Sequence, residues 1–186
     1  MVSLMSLWLP ILLSAIAVFV VSSVIHMFLG YHANDMLKAP NEAQALTALR
    51  GLNLPSGDYG LPKAGSMKEM GTPEFRAKVE QGPVVYMTVQ AKGSLGMGPQ
   101  LVQWFLYCVV VTVFGAYIAS RTLAPGTDYL HVFRVVGAVT FAGYALGQIS
   151  DSIWYSRSWA TTFRNVFDGL VYALVTAGFF GWRWPM

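Results

Sequence analysis

No aspartate, glutamate, lysine or arginine occurs before Asp35. Within that uncharged stretch, Leu4–Leu29 is long enough to cross a bilayer. A spanning helix needs about 20 residues, at about 1.5 Å rise each, to cover about 30 Å of hydrocarbon. Three further runs have the same character: Gln100–Ala124, Leu130–Trp154 and Thr161–Trp184. The last two carry charges, Arg134 and Asp151 in one and Arg164, Asp168 and Arg183 in the other. They span only if those charges lie near the interface or face inward. Composition agrees. Charged residues make up 11% of the 186-residue chain, against about 25% in a soluble domain.

The first run has no basic segment before it, and its apolar length exceeds that of a signal-peptide core, so it reads as a retained helix. Cys108, the one cysteine, lies inside the second run, which excludes a disulfide framework or a CxxC metal site. The net charge is +3, with basic residues scattered among acids, so no nucleic-acid-binding patch is present. The expected fold is an all-α membrane protein, a four-transmembrane-helix bundle with a small α/β extramembrane cap between helices 1 and 2. The expected divisions are transmembrane helix 1 over residues 1–29, the cap and a hinge over 30–99, and transmembrane helices 2–4 over 100–186.

Four spans place both termini on one side. The cap side holds Lys38, Lys92, Arg157 and Arg164 near the membrane, against Arg121, Arg134 and Arg183 opposite, which leans the cap towards the cytoplasm. Inside the cap, Asn41 with Gln44 three residues on reads as a capping box. Leu46, Leu49 and Leu52 then recur at helical spacing towards Gly51. "TPEF" sets Thr72 as N-cap and Pro73 as first helical residue, with Phe75 and Val79 on one apolar face. Gly82-Pro83 stops that helix. "VVYMTVQ", residues 84–90, reads as a strand able to pair near Tyr59–Leu61. "GSLGMGP", residues 93–99, reads as a hinge and lacks the lysine and spacing of a phosphate loop. No internal repeat is visible, so an inverted-repeat transporter is not indicated.

Small residues mark the helix-packing faces. Asn165, Gly169, Ala173, Ala177 and Gly181 recur every four residues in the fourth run. Gly143 and Gly147 form a GxxxG in the third, and Gly115 and Ala119 serve the second. Beside the first ridge runs a polar row of Arg164, Asp168, Tyr172 and Thr176. Helix rise brings His26, Gln103, Gln148, Asp151, Arg164 and Asp168 to one depth at the cap-side boundary. Arg164 and Asp168, four apart, can pair on one face. Such groups face the bundle interior and each other. They form a register-fixing network, or a site for a small ligand, a proton or a metal, or they simply snorkel to the interface with no network.

Spacing assigns no metal ligand set and no cofactor. His26 and His32, six apart, diverge by about 120° if the helix continues, and no HExxH occurs. His131 lies on the opposite side beside Arg134, which argues against a bis-histidine haem. A single histidine could still hold a chlorophyll-type macrocycle. No GxSxG or other nucleophile pattern appears, so no catalytic residue is assigned. Trp154, Tyr155 and Trp159 on the cap side, and Trp8, Trp182 and Trp184 on the other, read as interfacial anchors.

"SIWYSRSW", residues 152–159, and the end of the first run resemble uncharacterised families of small bacterial four-helix inner-membrane proteins. The resemblance implies a multi-pass protein of the inner membrane and no particular activity. The expected role is an accessory or structural subunit of a larger bacterial membrane complex. Its partners would be the lipid bilayer and other membrane subunits or further copies of itself, with no nucleic acid. The alternatives are a small membrane enzyme or transporter with a polar site under the cap, or a pigment- or haem-associated subunit of a redox or photosynthetic complex.

Overall fold

The computed structural model describes residues 2–93 and 96–186. Ser94 and Leu95, in the middle of the expected Gly-rich hinge, lie outside the described residues. In chain order the elements are α1 (Trp8–Phe28), entered through a 3-10 turn at Leu4–Leu7, α2 (Glu42–Gly51), β1 (Gly57–Leu61), α3 (Met67–Met70), α4 (Pro73–Gln81), β2 (Val85–Val89), α5 (Gly98–Thr122), α6 (Tyr129–Tyr144), a second 3-10 turn at Leu146–Gln148, α7 (Ile149–Tyr155) and α8 (Trp159–Trp182). They form two compact units. One comprises the chain up to Leu37 together with Met97–Met186; the other is Lys38–Gly96.

Among the described residues three stretches, all in the helical unit, are long and apolar enough to cross a membrane: Leu4–Phe28, Gly98–Thr122 and Tyr129–Tyr155. These are compatible with a multi-pass membrane protein. The fourth long helix, α8, has 24 residues, but Arg164, Asn165, Asp168 and Thr176 interrupt its apolar character. Contacts join α1 to α5, α5 to α6, α6 to α8 and α8 back to α1. Val20, Val24, Leu106, Val110, Phe114, Leu170 and Leu174 point outward and are exposed, as expected of faces meant for lipid. Inside, one cluster gathers Leu7, Ala116, Ala119, Val132, Val136 and Phe180. A second gathers Ala15, Val18, Cys108, Val111, Tyr144 and Tyr172.

The small residues explain how the helices come close. A Cβ on Gly115 would lie 2.9 Å from Thr140, one on Gly143 3.0 Å from Val111, and one on Gly181 2.6 Å from the Tyr129 ring. Ala119, Ala173 and Ala177 are buried. The third run is not one helix. It breaks at Ala145 (φ −119°, ψ −48°) into the 3-10 turn and α7. Ala145 is fully buried, and its backbone sits against α8: a Cβ on Gly169 would lie 2.8 Å from the Ala145 Cβ and 3.2 Å from its Cα. Beyond the break the GxxxG face no longer continues. Gly147, expected to pack, has open space where its Cβ would be.

The second unit follows its local signals closely. Thr72 caps α4 through a 3.2 Å bond from the Phe75 amide, with Pro73 at the helix start. β1 and β2 pair antiparallel, with Tyr59 opposite Met87 and Leu61 opposite Val85. α2 begins after Asn41, but that side chain makes no capping bond. Val79, expected on the same apolar face as Phe75, is 41% exposed. Among the described residues of Lys38–Gly96, Phe75 alone is buried.

Candidate functional site

α1 ends at Phe28, where the Leu29 amide still reaches the Ile25 carbonyl. Gly30 follows at φ +66°. A left-handed residue just past a helix end reverses the chain, and glycine takes that conformation without a Cβ penalty. The Ala33 amide then bonds Gly30 and the Asp35 amide bonds His32, so Tyr31–Asp35 coils into two tight turns. This coil carries Tyr31, His32 and Asp35 back onto α8.

Asp168, on α8 and only 3% exposed, is the focus. Its Oδ1 accepts from the Tyr31 hydroxyl. Its Oδ2 lies 2.8 Å from His32 Nε2 and 4.0 Å from His26 Nε2. The other nitrogen of His32, Nδ1, lies 2.6 Å from Asp35 Oδ2. Asp35 Oδ1 in turn accepts from the Arg164 guanidinium. The His26 and His32 rings are 4.4 Å apart at 43°. The Tyr31 ring lies 4.3 Å from that of His32, tilted by 38°.

Hydrogen-bond accounting constrains the protons. Both His32 nitrogens face carboxylate oxygens, and a neutral imidazole offers a single N–H. Both contacts are therefore hydrogen bonds only when the ring carries two protons or one carboxyl carries one. With an imidazolium at His32, two carboxylates balance two cations, and the buried charges are paired as burial requires. Burial by itself would raise the Asp35 carboxyl. The bond from His32 and the neighbouring Arg164 guanidinium outweigh it and hold that carboxyl below its ordinary range. Burial, reinforced by the bond to Asp168, pushes the Tyr31 hydroxyl well above the ordinary phenol value.

Of the groups expected at this depth, His26, Arg164 and Asp168 come together. Arg164 turns to Asp35 rather than to Asp168 one turn on, because the Tyr31–Asp35 coil supplies Asp168 with closer partners. Tyr172, Gln148 and Asp151 lie elsewhere, in a neighbouring cleft of about 410 Å³ walled by Trp104, Tyr107 and Tyr144. There the Gln148 amide donates to the Tyr144 carbonyl, and Asp151 lies 3.8 Å from Arg157. The Tyr172 hydroxyl is buried, and no partner for it is found among the described residues. Gln103 is exposed on α5, apart from both groups. On the other side, Asp128 caps α6 through the His131 amide.

Sequence spacing missed Tyr31 and His32 as partners of Asp168, and Asp35 as the partner of Arg164. The divergence of His26 and His32 assumed a continuing helix, and the helix does not continue. Gly30, directly after the apolar run, was the available signal. As folded, His26, His32 and Asp168 each bring one potential metal-ligand atom to within 4.8 Å of the others. The arrangement can hold a cation, pass a proton between His32 and either carboxylate, or simply tie the coil to α8. No family model, no curated protein and no solved structure matches the chain.

Proposed function

We propose that the chain is a four-span protein of the bacterial inner membrane, with its extramembrane unit in the cytoplasm, and that it works as a small membrane enzyme or transporter through the centre around Asp168. The observation that carries this reading is the cost of that centre. Asp168 is almost wholly buried on a helix that packs among three apolar ones, and it is served by groups from a separate element. Ionisable groups in such positions are expensive and, by default, mark the working part of a membrane protein. The small-residue ridges, which had suggested surplus docking surface, are taken up largely in contacts within the chain. They no longer favour a partner.

The test is complementation. A deletion strain is profiled across pH, metal supply and membrane stress, and its defect is then complemented from a plasmid. Asp168→Asn and His32→Ala are expected to insert at wild-type level yet fail to restore growth. Full complementation by Asp168→Asn overturns the reading.

A second reading, an accessory subunit of a larger complex, is favoured by a different observation. Leu46 and Leu49 on α2 and Leu52 just past its end lie exposed, an apolar face outside the proposed spans. On that reading Leu49→Glu fails to complement and Asp168→Asn succeeds.

A further inference from the structure

We infer that His26 Nε2, His32 Nε2 and Asp168 Oδ2 bind one divalent transition-metal ion. This rests on the Asp168 centre being the working part of the protein, and it names what that centre takes up.

The hydrogen-bonded network is complete without His26. Tyr31 and His32 serve Asp168, and His32 and Arg164 serve Asp35. Yet His26 points Nε2 towards Asp168 Oδ2 from 4.0 Å, too far for a hydrogen bond, with its ring against that of His32. Two imidazoles and one carboxylate converging on a point are a ligand set, and imidazole with carboxylate suits zinc, iron and their neighbours rather than calcium or magnesium. Ligand bonds of about 2.0–2.1 Å in tetrahedral geometry place donor atoms about 3.3 Å apart. Of the three edges here, the two to Asp168 measure 2.8 Å, somewhat shorter, and 4.0 Å, somewhat longer, and the one between the histidines lies within 4.8 Å. The histidine that must move is the least enclosed of the three. The His26 side chain is 51% exposed, against 11% for His32 and 4% for Asp168.

The surrounding groups are those that a metal site uses to aim its ligands. Asp35 receives His32 Nδ1, which fixes the ring and turns Nε2 inward. Arg164 holds Asp35. Tyr31 occupies Asp168 Oδ1 and leaves Oδ2 to ligate. Three protein ligands leave a further position for water or substrate. Taking up the ion displaces the proton between His32 Nε2 and Asp168, so binding releases a proton to solvent.

The experiment uses the full chain in mild detergent, dialysed against Zn²⁺ alone and against Co²⁺ alone. Metal is counted per chain, and the visible d–d spectrum of the cobalt form is recorded. One ion per chain with a low-symmetry cobalt spectrum is expected. His26→Ala and Asp168→Asn should lose stoichiometric binding, and Asp35→Asn should weaken it about tenfold to a hundredfold. His131→Ala, at the far end, should bind as the wild type does. His26 is half exposed, so its variant tests the site even if Asp168→Asn fails to fold. Absence of stoichiometric metal, or unchanged binding by His26→Ala, overturns the inference. If no ion binds while Asp168→Asn still fails to complement, the metal falls and the functional reading stands. If an ion binds as described while Asp168→Asn complements, the metal stands and the functional reading falls.

Discussion

The two oxygens of Asp168 have separate partners, and each can be removed alone. Tyr31→Phe keeps the ring on His32 but takes the donor from a buried carboxylate oxygen. Leaving such an oxygen unpaired costs about 1–3 kcal/mol, so the variant should unfold correspondingly earlier in a detergent denaturation series. An effect near zero would mean that Oδ1 is satisfied by something else. Asp35 supplies a pH dependence. Its folded carboxyl is held below the ordinary value, so in that range the unfolded chain binds more protons than the folded one. The stability it contributes is present above the ordinary value of about 3.9. It is lost from about pH 5 downward as the depressed folded value is approached. The melting temperature should therefore fall on acidification, and Asp35→Asn should flatten that fall. At this scale the sequence was half legible. Helix rise placed His26, Arg164 and Asp168 at one level, because all three sit in long helices with a fixed step. Tyr31, His32 and Asp35 depend on two turns after Gly30, and no periodicity describes those.

Among the elements, α8 is the one read most fully from its residues. In its every-fourth-residue ridge Gly169, Ala173 and Ala177 are buried while Asn165 and Gly181 at the two ends are only partly so, and small side chains are what let α6 approach. The break in α6 was not legible. Nothing in "GYALGQ" forbids a helix, and the break is recognised only through what Ala145 meets on α8. That contact makes a paired prediction. Gly169→Ala places a methyl 2.8 Å from the Ala145 Cβ and 3.2 Å from backbone, which cannot yield as a flexible side chain would. Overpacking of this kind costs about 1–3 kcal/mol. Gly147→Ala, on the same expected motif family, meets nothing within 4 Å and should leave stability unchanged or slightly raised. Equal effects from the two substitutions, measured by reversible unfolding in detergent, would show that the close approach of α8 to Ala145 is not what limits this packing.

At the scale of the whole molecule the two units are built on opposite terms. The helical unit buries two apolar clusters between its long helices. Lys38–Gly96 carries its order locally, in the Thr72 cap, the Ser66 cap and a two-stranded ladder, which is why its elements were readable from short motifs. A two-stranded sheet alone is marginal, and Phe75 is the one buried residue among those described there. Even a well-cored segment of this size would hold only roughly 3–9 kcal/mol, while truncating a buried phenylalanine costs about 3–5 kcal/mol. Phe75→Ala should therefore melt this unit by itself. In hydrogen exchange, the ladder amides of Val85–Val89 should lose protection while those in the middle of α1 and α8 keep theirs. The site residues all belong to the other unit, so metal binding by this variant should match the wild type. Loss of protection in both units together would mean that they fold as one cooperative body, and that the Asp168 centre depends on more than the helices that carry it.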